Sequence, residues 1–222
     1  MNMAAGADEF ETTNQDWYTH PYDPSIVFTA DPEVFVRLAQ APSSTSGFRA
    51  IILKRSEEEK QRTRDEIKTY RERPDSVLRF GHPEKQLIRD KGVLFYEPPT
   101  TEVYRQRVNA EHIPATIKTL MSLFGEITGE KHLTISLFDK WRVVQNMNHD
   151  HDHDVLNVVS SPEEGVKGTV LPIKGHPGFQ VEEGDFLFIK AGRIHSPEII
   201  TKRNLTKERT TIGVHPMIDN HI

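Results

Sequence analysis

A run of alternating imidazoles and carboxylates, NHDHDHD, occupies residues 148–154, which we call the His/Asp tract. If the backbone is extended, His149, His151 and His153 point to one face and the three aspartates to the other. Neighbouring histidines then lie about 6.6 Å apart and the outer two about 13 Å apart, so one metal ion can take two neighbours directly. His151 belongs to either pair. The alternative is a polar run that binds metal ions adventitiously.

The segment GDFLFIKAGRIH, residues 184–195, adds a histidine far from the tract. It reads as an apolar strand, a glycine-containing turn, and His195 at the start of the next strand. Such a turn can return His195 to a pair of histidines across a small barrel. Two imidazoles from one strand and one from a distant strand form a facial set with open positions for O₂ or substrate. We therefore predict that His151, His153 and His195 bind one metal ion, with His149 as the substitute if the register shifts by two residues.

The residues from His151 to His195 resemble the two sequence motifs of the cupin superfamily. The double-stranded β-helix of that superfamily is shared with the Fe(II)/2-oxoglutarate oxygenases. The first motif, His-x-His followed by Glu and Gly, is matched by His151-Asp152-His153, with Asn157 at the Glu position and Gly165 beyond. Because Asn is a poor substitute for a ligating Glu, a three-histidine site is expected rather than three histidines and a carboxylate.

The second motif is Gly, five residues, Pro-x-Gly, two residues and His. It is matched from Gly184 to His195, with Lys190 in place of Pro. The 2-oxoglutarate oxygenases normally supply His-x-Asp, and no histidine of this sequence has Asp two residues later. An adjacent aspartate could still ligate if a bulge turned it inward.

The resemblance implies a mainly β fold with a helical N-terminal part, built on a double-stranded β-helix (jelly-roll) barrel. It implies Fe(II) as the metal, 2-oxoglutarate as cosubstrate and O₂ as co-reactant. The implied function is a non-heme Fe(II) dioxygenase or hydroxylase that acts on a small molecule. The candidate cofactor-binding residues are Arg209, Lys190 and Asn157. Arg209 follows His195 by fourteen residues, and its planar guanidinium can bind the distal carboxylate of 2-oxoglutarate through two hydrogen bonds.

Two other functions stay open. The lack of His-x-Asp favours a three-histidine cupin enzyme that works without 2-oxoglutarate, either a dioxygenase or an isomerase. A non-catalytic, cupin-like metal-binding protein, with the His/Asp tract as a buffer, is the third. Zn, Mn, Ni and Cu stay open as alternative metals, because the ligand type does not determine the metal.

The chain divides into two parts, which we expect to form one integrated domain. Residues 1–130 form a mixed helical support region, and residues 131–222 form the metal-binding β core. The predicted helices begin at the N-cap Asp31, at the capping box of Ser56 and Glu59, and near residue 112, before a stop at Gly129. Residues 41–47 are expected to be a flexible loop. The predicted strands cover residues 132–138, 142–147, 155–160, 168–173, 185–190, 194–200 and 210–214, and GVLFYE (92–97) is expected in the same sheet.

Composition excludes several classes of function. The 222 residues carry 28 Lys and Arg against 33 Asp and Glu, a net charge of -5, which disfavours nucleic-acid binding. There is no cysteine, so disulfides, cysteine-based metal sites and thiol catalysis are excluded. We find no signal peptide and no apolar run long enough for a membrane, and we expect a cytoplasmic protein. The expected partners are a small-molecule substrate and O₂, with a homodimer as an open possibility.

Overall fold

The computed structural model describes residues 16–72, 86–89, 93–96, 114–130, 133–139, 148–161, 168–196 and 210–216. These ranges contain eleven strands and four helices, which confirms the predicted mainly β class with helices. The helices are α1 (Pro32–Gln40), α2 (Ser43–Ser46), α3 (Glu57–Glu72) and α4 (Ala115–Thr128). The strands are β1 (Trp17–His20), β2 (Asp23–Thr29), β3 (Ala50–Leu53), β4 (Gln86–Arg89), β5 (Val93–Tyr96), β6 (Leu133–Asp139), β7 (Val155–Ser160), β8 (Val170–Ile173), β9 (His176–Gln180), β10 (Phe186–Ile189) and β11 (Thr210–Pro216).

Seven strands form one mixed sheet in the order β1-β2-β3-β10-β7-β11-β6. Strands β2 and β3 pair in parallel, and the other neighbours in this sheet pair antiparallel. Because β1, β2 and β3 come from the N-terminal part of the sequence, both parts contribute to one sheet. The predicted strands at 142–147 and, after Ser196, at 197–200 lie outside the described residues.

The expectation that GVLFYE (92–97) joins the main sheet is wrong. Strand β5 pairs with β4 in a separate two-stranded sheet. Only three residues separate these strands, so closing this hairpin costs less loop entropy than pairing with a distant strand. Strands β8 and β9 form another two-stranded sheet.

The large sheet buries a different core on each face, since side chains alternate along each strand. The even-numbered residues of β7, β10 and β11 pack with α1 and α4. The odd-numbered residues of β10 pack with the β8–β9 hairpin around Leu171 and Ile173. The sheet is therefore covered by helices on one face and by a hairpin on the other.

The predicted helix boundaries are confirmed where the structure describes them. The Asp31 side chain accepts hydrogen bonds from the backbone N–H groups of Glu33 and Val34, at 2.8 and 3.3 Å. Glu59 and Ser56 form the capping box, with Ser56 N donating to Glu59 Oε2 at 2.8 Å and Glu59 N donating to Ser56 Oγ at 3.3 Å. Helix α4 ends at Gly129.

Residues 41–47 differ from the expected flexible loop. They contain α2, a single helical turn that ends at Gly47. The hydroxyls of Thr45 and Ser46 each donate to the Pro42 carbonyl at 3.0 Å, so short polar side chains stabilise the turn locally. In the described part of the chain, no helix is both long and apolar enough to span a bilayer.

A buried charge cluster fixes α3 to the beginning of β10. The carboxylate of Asp185, 1% exposed, lies 2.6 Å from Lys54 Nζ and 3.2 Å from Lys60 Nζ. Both lysines also contact Glu182, at 2.7 and 2.9 Å. The Arg55 backbone N–H donates to Asp185 at 3.0 Å. Because β10 continues into the turn that carries His195, this cluster supports one side of the site.

Candidate metal centre

Within the His/Asp tract, His149 is the one residue in a β-bridge, and no residue of the tract belongs to a strand. His149 and His195 exchange two backbone hydrogen bonds of 2.9 Å in an isolated antiparallel bridge. The chain then bends at Asp152 and His153 before β7 begins. The tract is therefore not one continuous strand, although the ring centroid of His153 still lies 5.3 Å from that of His151.

His149, His151 and His195 form a three-histidine group, and their ligand atoms lie within 4.8 Å of one another. The ring centroids are 4.2 Å apart for His149 and His195, and 5.1 Å apart for each of the other two pairs. An ion with metal–nitrogen bonds of about 2.1 Å holds its ligands up to about 4.2 Å apart. Small side-chain rotations therefore suffice for this group to bind one ion.

A hydrogen bond determines which nitrogen of His195 is available. His195 Nδ1 lies 3.1 Å from the Arg193 carbonyl oxygen. Because a carbonyl oxygen only accepts, Nδ1 carries the proton and donates it, which leaves the Nε2 lone pair for a metal. His195 is 4% exposed, so the bond also holds the ring in one orientation.

Burial keeps two of the three imidazoles neutral at neutral pH. Desolvation lowers the pKa of His195 to about 4. Desolvation, helped by the neighbouring His149 and His153, lowers the pKa of His151 to about 4. Since only the neutral imidazole ligates, both side chains are in the metal-binding form well below pH 7.

Two hydrogen bonds join the tract to the turn that follows β10. The Gly192 N–H donates to the His151 carbonyl at 2.8 Å, and the Ala191 N–H donates to Asp154 Oδ1 at 2.9 Å. They bring two segments whose bonded residues are 37 and 41 positions apart in sequence into fixed register. The aspartates of the tract therefore include one that positions the site.

His153, one of the predicted ligands, has other partners. Its Nδ1 lies 2.7 Å from Asp152 Oδ1, and its Nε2 lies 3.1 Å from His215 Nδ1. A carboxylate accepts, so Nδ1 of His153 donates to Asp152. Through these two contacts, Asp152, His153 and His215 form a chain of side chains beside the three-histidine group.

His215 lies beside the three-histidine group and is not among the ligands predicted from the sequence. Its ring centroid is 5.6 Å from that of His151, and burial lowers its pKa to about 3. A Cβ on Gly213 would lie 2.9 Å from His215 Nε2, so the glycine leaves space for the imidazole. The register of β11 against β7 places His215 beside the tract. In the sequence, His215 is marked only by its odd-numbered position in β11, on the face opposite the helices. That position indicates a place near the tract only once the pairing of β11 with β7 is known.

The three candidate cofactor-binding residues have different places. Asn157 is 7% exposed in β7, opposite Leu187 and Gly213. Lys190 is 6% exposed, and its Nζ donates to the Ala41 carbonyl at the end of α1. Burial lowers the pKa of Lys190, and Asp154 opposes that effect. Arg209 lies outside the described residues, directly before β11.

No protein-family model matches this sequence, and no curated protein is significantly similar to it. Solved structures do match. One of them is an oxidoreductase of the 2OG-Fe(II) oxygenase family from Burkholderia pseudomallei, 12% identical, with a TM-score of 0.39. The match covers 81% of this chain and 88% of that chain. Similarity at this level is too low to assign a function, which has to rest on the histidine cluster itself.

Proposed function

We propose that the chain is a non-heme Fe(II) dioxygenase or hydroxylase that acts on a small molecule with 2-oxoglutarate as cosubstrate. The observation that carries the proposal is the convergence of His149, His151 and His195 within 4.8 Å. Imidazole suits iron, and three protein ligands leave coordination positions open for other molecules.

In this proposal the chain's own residues prepare and orient the ligands. The Arg193 carbonyl holds His195 with its Nε2 lone pair exposed to the ion. Burial keeps His151 and His195 unprotonated, so binding displaces no proton from them at neutral pH. Iron bound there supplies the centre at which O₂ is activated for oxidation of the substrate.

We propose a double-stranded β-helix as the scaffold. Two isolated bridges support it, because His149 pairs with His195 and Val170 pairs with Ser196. Together with the β8–β9 pairing, these bridges align the tract, the His195 segment and the hairpin side by side. The hairpin packs on one face of the seven-stranded sheet, as the second β layer of such a scaffold would.

The all-imidazole donor set favours a second candidate, a three-histidine cupin enzyme that works without 2-oxoglutarate. The three grouped ligands include no carboxylate, whereas 2-oxoglutarate oxygenases normally supply His-x-Asp. Asp150 and Asp152 lie within the tract, but neither is in the three-residue group. The two candidates differ in whether 2-oxoglutarate binds.

Anaerobic Fe(II) binding by equilibrium dialysis tests the metal site. His151→Ala and His195→Ala should each lower the affinity by more than the 10–100-fold typical of residues that only support ligands. His149→Ala should have a similar effect, whereas His153→Ala should stay within about 100-fold, as expected for a supporting residue. Equal, stoichiometric iron in the wild type and in the His151 and His195 variants would refute the site. If His153→Ala lowered the Fe(II) affinity more than His149→Ala, the ligand pair would be His151 and His153, as predicted from the sequence.

Addition of 2-oxoglutarate to the Fe(II) protein without O₂ distinguishes the two enzyme classes. A metal-to-ligand charge-transfer band is expected if 2-oxoglutarate binds the iron. Arg209→Met should then weaken 2-oxoglutarate binding by about 1.5–3 kcal/mol, the value of a hydrogen bond to a charged group, while iron affinity stays unchanged. If wild-type protein binds iron and gives no band, the enzyme without 2-oxoglutarate becomes the better assignment.

A further inference from the structure

An open cavity of about 740 Å³ lies beside the turn that leads to His195. This volume is in the range of small-molecule sites. Its walls come from the turn between β1 and β2, the end of β8, and residues 192–194. No histidine of the metal cluster lines it, so it is separate from the metal ligands.

The charges of the cavity wall favour an anion. The lining residues include three cations, Arg49, Lys174 and Arg193, and one carboxylate, Asp23. Asp23 is already bound, with its Oδ2 at 2.9 Å from Arg193 Nη2 and its Oδ1 at 2.6 Å from Ser25 Oγ. Among the described residues, no carboxylate pairs with Arg49 or Lys174. The described residues of the wall therefore carry an excess of two positive charges, in a chain whose net charge is -5.

Arg193 is itself incompletely bonded. Its Nη2 donates to Asp23 and, at 3.1 Å, to the Pro172 carbonyl. Its Nε is buried and has no hydrogen-bond partner in the part of the chain that the structure describes. A buried donor without a partner costs free energy. Because Nε is not exposed to the cavity, an anion there would act on the guanidinium through its charge rather than through a hydrogen bond to Nε.

Apolar groups line the same opening. Tyr22 is 65% exposed and stacks on His176, with ring centroids 4.2 Å apart and planes 20° apart. Ile194 is 50% exposed. A stacked aromatic face next to cations suits a ligand that combines a planar apolar body with a negative group.

We propose that this cavity binds a small organic anion, namely a carboxylate attached to a planar ring. The carboxylate contacts Arg49, Lys174 and Arg193, and the ring packs on Tyr22. Because the Arg193 carbonyl accepts the hydrogen bond from His195, the ligand lies next to the residue that orients a metal ligand. The proposal does not depend on iron binding and is tested on the metal-free protein.

The test is a titration of the ¹⁵N-labelled, metal-free full chain with benzoate, benzamide and inorganic phosphate. Benzoate should shift the backbone amide resonances of Lys174 and of residues 192–194. It should bind about tenfold more tightly than benzamide, which has the ring without the charge, and than phosphate, which has the charge without the ring. Benzamide binding as tightly as benzoate would overturn the anion site, and phosphate binding as tightly would overturn the aromatic part.

Matched variants locate the binding. The double variant Arg49→Met/Lys174→Met should weaken benzoate about tenfold. The control Lys68→Met/Lys118→Met removes two exposed charges away from the cavity and should leave the affinity unchanged. Tyr22→Ala should weaken benzoate and leave phosphate binding unchanged. Equal benzoate affinity in both double variants, or no shift of the amides of residues 192–194, would refute the proposal.

Discussion

Gly184 allows α3 to approach the strand that leads to the metal centre, so Gly184→Ala should strongly destabilise the protein. Its φ is +85°, in the left-handed region that disfavours side chains. A Cβ there would lie 2.6 Å from Lys60 Cγ and 2.9 Å from Lys60 Cβ. These atoms are close to the helix backbone and cannot move aside as the end of a flexible side chain could.

The expected size of the effect has two parts. The left-handed backbone costs an alanine about 1–2 kcal/mol. The clash adds about 1–3 kcal/mol, typical of overpacking, because Lys60 Nζ is held by Glu182 and Asp185 at 2.9 and 3.2 Å. The total lowers the free energy of unfolding by about 2–5 kcal/mol, and Tm by about 2–4 °C per kcal/mol.

Urea denaturation followed by circular dichroism measures this free energy. Gly47→Ala and Gly129→Ala are the matched controls, because their φ values are +72° and +75°. Among the described residues, apart from chain neighbours and the helix's own backbone, no atom lies within 4 Å of the added Cβ. They should lose only the backbone part of the free energy. If Gly184→Ala loses no more than these controls, Lys60 does not pack against Gly184 as described. The combined variant Gly184→Ala/Lys60→Ala separates the clash from the backbone strain.

Two further predictions concern the metal centre. In the metal-free protein, the free energy of unfolding should fall as the pH drops from about 6.5 to 4, because the pKa values of His151, His195 and His215 are lowered to about 4, 4 and 3 when folded. The unfolded chain binds more protons in that window, so acid favours unfolding. Urea denaturation at several pH values measures this dependence, and His215→Asn should make it shallower. An unchanged slope would contradict the burial of a neutral His215. Asp154→Ala should lower metal affinity about 10–100-fold, because Asp154 holds the Ala191 N–H at 2.9 Å. Asp154→Asn keeps an acceptor oxygen and should retain most of the Fe(II) affinity, measured by equilibrium dialysis. Wild-type affinity in Asp154→Ala would show that this hydrogen bond does not position the site.

The sequence by itself determined the local elements. Capping residues and turn glycines act within a few positions of themselves, so Asp31, Ser56 and Gly129 mark helix ends whatever the rest of the chain does. Short apolar runs bounded by charged or turn residues predicted β7 and β10 within a residue or two. Strands β1, β2 and β3, which lie in the part read as helical, were not predicted, because short strands are recognisable mainly through their partners.

Only the tertiary structure decided which histidines meet. By sequence spacing alone, His149 and His153 are equally suited to bind a metal ion together with His151, since both are two residues away from it. The bridge between His149 and His195, and the bend at Asp152 and His153, remove that equivalence. The position of His215 likewise depends on the pairing of β11 with β7, whose partner residues are 50 to 58 positions apart. Which histidines can bind the metal ion depends on the pairing register between distant segments, and no local sequence pattern determines that register.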